Sequence, residues 1–404
     1  MPSPSYTLQA RYVFPADGPP IAGGTVTVAG GMLTHVGSRD GAAIDGGNVA
    51  IIPGLVNAHT HLEFSGLSQP LGRAGNTLPQ WIDALIRYRE GRGESQSEAI
   101  ADGLQQSLAH GVTTVGDICT TRSPADYAIA ATPSVTAFHE VISLDPDKTD
   151  EVVQQLAARL ARFKGVAAGV SPHAPYTVHP ALVSRLAEFA GSTCAPIAMH
   201  LAESREELEL LAAGTGPFHD LLADRGVWRP ENFVGGQRPL DYLKRLAGAP
   251  RCLLIHGNYL DQDEIDFIGT QDRMSVVYCP RTHAYFEHAP YPLNALLRAN
   301  VRVALGTDSR ASNPDLDLFA EMKTVSREGL ADPESVLQMG TINGAVAMGM
   351  GDTVGTLTAG KRADFAIARL PEHAGEPFEL LFDDRSRVMK TYVAGVPLAE
   401  ASAT

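Results

Sequence analysis

The stretch Ile51-Ile52-Pro53-Gly54-Leu55-Val56-Asn57-Ala58-His59-Thr60-His61 decides the reading of this chain. An apolar run ends in two histidines spaced two apart. A strand turns alternate side chains to opposite faces, so His59 and His61 point the same way from its C-terminal end. Three later segments repeat the pattern. Residues 195–199 close with His200, residues 252–255 with His256, and residues 301–305 with Asp308 after Gly306-Thr307. Imidazole is a good transition-metal ligand, and a buried aspartate needs a cation or several donors. Five such groups at strand ends predict convergence on one metal ion.

Between these segments, strand and helix patterns alternate. A helix ending at 107–110 is capped by Gly111 and followed by a strand at 112–115. A helix over 149–164 is stopped by Gly165, and a strand follows at 166–170. Helical patterns at 181–190, 240–247 and 293–299 lead into strands at 195–199, 252–255 and 301–305, with another strand at 275–278. Adding 51–56 and 135–138 gives about eight strands, as a (β/α)8 TIM-type barrel requires. The first and last fifty or so residues alternate in strand fashion with Gly, Pro and Asp turns. The expected organisation is a small β-sandwich domain built from both chain ends, 1–52 and 353–404, around a barrel of 53–352. Thr77-Leu78-Pro79-Gln80 resembles a capping box opening a short helix through Arg89, inside an insertion spanning 63–93. Residues 214–237, rich in Gly, Pro and Asn, read as a surface excursion.

Bulk properties narrow the function. The chain has 404 residues, 44% hydrophobic and 19% charged, with a formal net charge of -14. No dense basic patch stands out, which argues against nucleic acid or an anionic membrane as partner. Cys119, Cys194, Cys252 and Cys279 form no C-x-x-C pair and read as reduced, buried thiols. Met1-Pro2-Ser3-Pro4 lacks the basic and apolar regions of a signal peptide, and no apolar run approaches ~18 residues. A cytoplasmic protein acting on a small molecule is expected; a homodimer is allowed for.

Taken together, His-x-His after Pro53-Gly54-Leu55-Val56-Asn57, the strand-five His200, the strand-six His256-Gly257 and the strand-eight Gly306-Thr307-Asp308 resemble the amidohydrolase superfamily. His200-Leu201-Ala202-Glu203 matches the His-x-x-Glu of its deaminase branch. Gly355-Thr356-Leu357 with Gly360-Lys361-Arg362-Ala363-Asp364 is similar to the family's return into the terminal β domain. The resemblance covers essentially the whole chain. It implies His59, His61, His200 and Asp308 as metal ligands, with His256 beside the attacking water and its own ligand status open. Binuclear members carry a lysine at the end of strand four. Here that position reads Val170-Ser171-Pro172-His173, so one divalent ion is expected, zinc first, with iron or manganese as alternatives.

Hydrolytic deamination of a ring needs a group to take a proton from water and one to protonate the ring nitrogen. Asp308 is the candidate for the first, Glu203 for the second, and His256 for stabilising the developing alkoxide. The plainer account of Glu203 is an acidic helix start before Ser204-Arg205-Glu206-Glu207. His173, Ser309 and Trp81 are candidate substrate contacts. So are Arg281 and His283, in a Cys279-Pro280-Arg281-Thr282-His283 segment that departs from the family's Cys-Pro-x-Ser-Asn. His61-Leu62-Glu63-Phe64-Ser65 and the segment from Trp81 to Arg89 resemble the aminodeoxyfutalosine branch of menaquinone synthesis. Its substrate is an adenine nucleoside bearing a benzoate, and Arg73, Arg87 or Arg281 is expected to meet the carboxylate. The favoured substrate is therefore 6-aminodeoxyfutalosine. S-adenosylhomocysteine, guanine-type bases, triazines and cyclic amides remain open, as does a catalytically silent binding barrel.

Overall fold

The computed structural model describes residues 5–38, 41–91, 96–120, 123–129 and 132–398. Met1-Pro2-Ser3-Pro4 and the end of the insertion at Gly93 lie outside the described residues.

Eight parallel strands form one sheet in strict chain order: β1 (Leu55–Thr60), β2 (Val112–Cys119), β3 (Ser134–Val141), β4 (Ala167–Pro172), β5 (Ile197–Leu201), β6 (Cys252–His256), β7 (Met274–Tyr278) and β8 (Arg302–Leu305). A parallel bridge between Thr60 and Asp308 brings the end of β8 back to β1. Inward side chains, among them Val56, Phe138, Ile255 and Val277, fill the interior. Outward ones pack under the surrounding helices, as Val170 and Ile197 do beneath Leu182, Leu186 and Leu243. This is the expected (β/α)8 barrel.

Both chain ends supply the remaining sheets. Val49–Pro53 pairs antiparallel with Phe365–Arg369 and parallel with Tyr12–Val13. Ser5–Gln9, Thr25–Ala29, Met32–Gly37 and Ile44–Asp45 make a second sheet. Val26, Val28, Leu33, Ile51 and Phe365 form a shared core, where Phe365 stacks on Tyr392 at 4.2 Å.

Residues 51–56 are not one barrel strand. The structure divides them at Gly54: Ile51 and Ile52 belong to the end sheet, and β1 starts at Leu55. Gly54 N–H donates to the Asp364 carbonyl and Leu55 N–H to the Gly111 carbonyl. The chain therefore changes sheets within one residue. A Cβ at Gly54 would lie 2.1 Å from Thr113 Oγ1, so only glycine fits the crossing.

Two insertions sit over the barrel mouth. The first carries helix α1 (Leu78–Gly91), where the Gln80 side chain accepts from Thr77 N–H, one half of the expected capping box. The second follows β5. Helix α2 (Arg205–Ala213) starts at Ser204, whose hydroxyl accepts from Glu207 N–H at 3.2 Å. The excursion read over 214–237 contains helix α3 (Pro217–Asp224), and Phe218 of α3 is fully buried against Tyr176 at 4.0 Å. Its apolar i, i+3, i+4 positions (Phe218, Leu221, Leu222) were masked by the surrounding Gly and Pro. Of the four cysteines, Cys194 is exposed, ending a helix at φ +56°, so it is not one of the buried thiols expected. No helix among the described residues is long and apolar enough to cross a membrane.

Gly54→Ala is expected to cost about 1–3 kcal/mol of stability by overpacking against Thr113. The midpoint of denaturant unfolding measures it, and an unchanged midpoint would refute the one-residue crossing.

Candidate active site

Five side chains meet at the C-terminal mouth of the barrel. Asp308 Oδ1 lies 3.4 Å from His59 Nε2 and 3.6 Å from His61 Nε2. Donor atoms of His59, His200 and His256 lie within 4.8 Å of one another, as do those of His59, His61 and Asp308. The rings of His59 and His200 are 5.0 Å apart between centroids.

Local backbone geometry sets these positions. His256 (φ +67°) and Asp308 (φ +55°) occupy the left-handed region, and so does Ala202 (φ +52°) between His200 and Glu203. Such angles are uncommon outside glycine and persist where surrounding contacts enforce them. Asp308 N–H donates to the His59 carbonyl at 3.1 Å, and Thr60 Oγ1 donates to the Asp308 carbonyl at 2.7 Å. Ser312 Oγ donates to Asp308 Oδ2 at 2.8 Å, which leaves Oδ1 facing the histidines. A Cβ on Gly306 would sit 2.8 Å from the His59 carbonyl oxygen.

The donor set fits a metal ion. His59 is 0% exposed, yet neither ring nitrogen has a hydrogen-bond partner, and His61 Nδ1 is likewise orphaned. Buried polar atoms are rarely left so. His200 Nδ1–H donates to the His173 carbonyl at 3.0 Å, which fixes the tautomer and leaves Nε2 free as a ligand. Burial holds His59, His61 and His256 well below the usual histidine range and brings His200 down to about 4. Neutral imidazole is the ligating form. Tetrahedral ligands at zinc distances stand roughly 3.3 Å apart, close to the Asp308–His59 separation.

Glu203 lies beside this set. Its Oε1 is 3.4 Å from His256 Nε2, and burial, with Asp308 and Glu207 nearby, pushes its carboxyl well above the ordinary range. Asn258 Nδ2 donates to its carbonyl. The buried Glu207 carboxylate accepts from Ala202 N–H at 2.8 Å and from Glu203 N–H at 2.9 Å. Glu207 therefore clamps the left-handed turn that aims Glu203, and burial lifts its own carboxyl to about 7. Glu203 precedes the helix cap Ser204 and faces the cavity, so the helix-start account does not describe it.

The site opens into a cavity of about 310 Å³. Trp81, Ile82 and Leu85 of α1 and Phe218, Leu221 and Leu222 of α3 form its apolar wall. His173, Ser309 and Glu140 lie on the barrel side, and Arg89 and Arg225 also line it. Trp81 is held by its indole N–H on the Ala311 carbonyl at 3.0 Å. His173 Nδ1 shares a hydrogen bond with the Thr177 hydroxyl at 2.7 Å.

Four expected substrate contacts are elsewhere. Arg281 is engaged by Glu321 and, through two bonds, by Asp315, joining the loops after β7 and β8. His283 Nε2 bonds the Ala289 carbonyl. Arg73 is exposed in a separate surface groove with Arg87, which pairs with Asp83. The cavity arginines are instead Arg89, paired with Glu63 at 2.7 Å, and Arg225, paired with Asp83 at 2.6 Å. Arg89 was legible: it shares one helix face with Trp81 and Leu85 at i, i+4, i+8.

Fold and donor set together define a metal-dependent hydrolase of the barrel type. Residues 50–398 match the amidohydrolase family, and the chain belongs to it. It is a hydrolase acting on C–N bonds other than peptide bonds. A 5-methylthioadenosine/S-adenosylhomocysteine deaminase of Moorella thermoacetica is 29% identical over 88% of this chain and 83% of that protein. An aminodeoxyfutalosine deaminase of Deinococcus radiodurans is 33% identical over 74% of this chain and 75% of that protein. Among solved structures, an adenosine deaminase of Xanthomonas campestris with bound zinc has TM-score 0.80 and 26% identity, covering 98% of this chain and 93% of that one.

Glu207→Gln is expected to keep its metal and lower kcat roughly 10- to 100-fold with KM little changed, since one backbone N–H loses its acceptor. Metal analysis alongside steady-state kinetics measures this. A shift confined to KM would assign Glu207 no part in aiming Glu203.

Proposed function

We propose that the protein is a single-metal hydrolytic deaminase of adenine nucleosides, with 6-aminodeoxyfutalosine of menaquinone synthesis as the favoured substrate. The carrying observation is Glu203, held on the cavity side of the histidine cluster, 3.4 Å from His256 and beneath a largely apolar cavity. Relatives named as deaminases of adenosine-type nucleosides support the reading.

His59, His61, His200 and Asp308 would hold the ion, with His256 next to them. A divalent ion there supplies Lewis acidity that makes water a nucleophile at neutral pH, and the N/O donor set suits zinc. The residues do the rest. Asp308 takes a proton from the attacking water. Glu203, its carboxyl raised by burial, delivers its proton to the ring nitrogen and, as the carboxylate, then takes the proton of the oxygen that has added, while the proton held on Asp308 passes to the amine, which leaves as ammonia. His256, neutral and fixed by its backbone carbonyl on Tyr291 Oη–H at 2.8 Å, steadies the oxygen that adds to the ring. His173 stands beside the nucleoside, and Ser309 borders the same space.

The distal half of the cavity favours an aromatic group over a short polar one. Trp81, Leu85, Phe218 and Leu222 supply the apolar surface, and Arg89 and Arg225 supply cations for a carboxylate. The same arginines suit the amino-acid carboxylate of S-adenosylhomocysteine, which is the second reading.

Ammonia release from 6-aminodeoxyfutalosine, S-adenosylhomocysteine, 5-methylthioadenosine and adenosine is the direct test. The first is expected to give the highest kcat/KM, and silence on all four by metal-loaded protein would reject the proposal. Glu203→Gln is expected to retain the metal and lose about 10²- to 10⁴-fold in kcat. Near-normal turnover would remove Glu203 from the reaction.

A further inference from the structure

The acids around the cavity have assigned partners, with one exception. Asp308 receives Ser312, Glu207 receives two backbone amides, Glu63 receives Arg89, and Asp117 receives Leu62 N–H and the Tyr127 hydroxyl. Glu203 meets His256. Glu140 stands apart. It lies on β3 two residues beyond the inward-facing Phe138, so alternation turns it to the same side, and it lines the cavity. Among the described residues, no hydrogen bond or ion pair reaches its carboxylate; the Arg159 guanidinium bonds its backbone carbonyl at 2.8 Å. Burial pushes its carboxyl above the ordinary range, while the charges of Arg89, His200 and Arg159 oppose that rise. An acid desolvated without a partner is costly and calls for a ligand.

We propose that Glu140 is the receptor for a vicinal diol, the 2′- and 3′-hydroxyls of a ribonucleoside. The proposal rests on the adenine-nucleoside reading above. Its ground is position and donor count. The reacting ring must stand over the groups on β5, β6 and β8, and the 5′ substituent must run towards α1 and α3. The sugar joins the two. Glu140 is one strand from His173, whose N–H donates to the Val141 carbonyl at 3.1 Å. An ionised carboxylate only accepts and offers two oxygens, which match two neighbouring hydroxyl donors. A cationic ligand is disfavoured there because Arg89 and Arg225 already line the same cavity.

The test compares adenosine with 2′,3′-dideoxyadenosine in wild type and in Glu140→Gln, both zinc-loaded. Wild type is expected to prefer adenosine in kcat/KM by roughly 10- to 100-fold for each hydroxyl, the range of a hydrogen bond to a charged group. In Glu140→Gln that ratio is expected to collapse to within a fewfold of one, with the loss falling mainly on adenosine and in KM. Melting temperature is expected to rise, because a neutral isostere replaces a half-buried acid whose carboxylate has no hydrogen-bond donor. If the variant turns over neither compound, binding of inosine against 2′,3′-dideoxyinosine reads the same ratio without chemistry. A wild-type ratio near one, a ratio preserved in Glu140→Gln, or a loss confined to the ammonium-bearing S-adenosylhomocysteine would each overturn the diol assignment while leaving deamination intact. No ammonia from any adenine nucleoside with wild type would instead defeat the nucleoside reading, and this proposal with it.

Discussion

The structure depends on the seam where β8 returns to β1. Asp308 N–H bonds the His59 carbonyl, and Thr60 Oγ1 bonds the Asp308 carbonyl. Asn57 braces the same join, since its Nδ2 donates to Thr307 Oγ1 and its Oδ1 accepts from Thr307 N–H. These groups are buried, so each bond left unmade costs about 1–3 kcal/mol. Barrel closure and assembly of three donors (His59, His61 and Asp308) are thus one event. The fold does not carry the site as an accessory; the last contact that completes the sheet also completes the cluster.

A second layer turns a cluster of polar groups into an oriented one. The His173 carbonyl selects the His200 tautomer, Ser312 reserves one oxygen of Asp308, and Glu207 holds the turn that projects Glu203. Three residues in left-handed conformation, Ala202, His256 and Asp308, mark where the chain is bent against its preference to achieve this. Strain of this kind is worth a few kcal/mol and is sustained by the packed barrel beneath.

The barrel and its donors were legible because both follow from short-range rules. Period-two alternation placed His59 and His61 together, and strand ends placed His200, His256 and Asp308. Glu203 was reached by resemblance, and its orientation could not be read, because Glu207 acts through backbone amides that no side-chain pattern reveals. Arg281 and His283 were misplaced for a related reason. Both are polar residues after a strand, as the site demands, but Glu321, Asp315 and the Ala289 carbonyl had already claimed them. Partner competition of this sort is a tertiary property. Glu140 was missed although its phase on β3 follows from Phe138, since a lone acid at a strand end carries no distinguishing neighbour.

Arg225 of the segment after β5 grips Asp83 of α1, so the two helices over the mouth hold each other as well as the barrel, which they meet through Trp81 on the Ala311 carbonyl and Phe218 on Tyr176. The ceiling and the reacting centre are thus built on different segments of the chain. Exchange of residues in α1 and α3 can reshape which molecules enter while the hydrolytic machinery below stays untouched. This arrangement lets one catalytic base plate serve a succession of differently tailored guests.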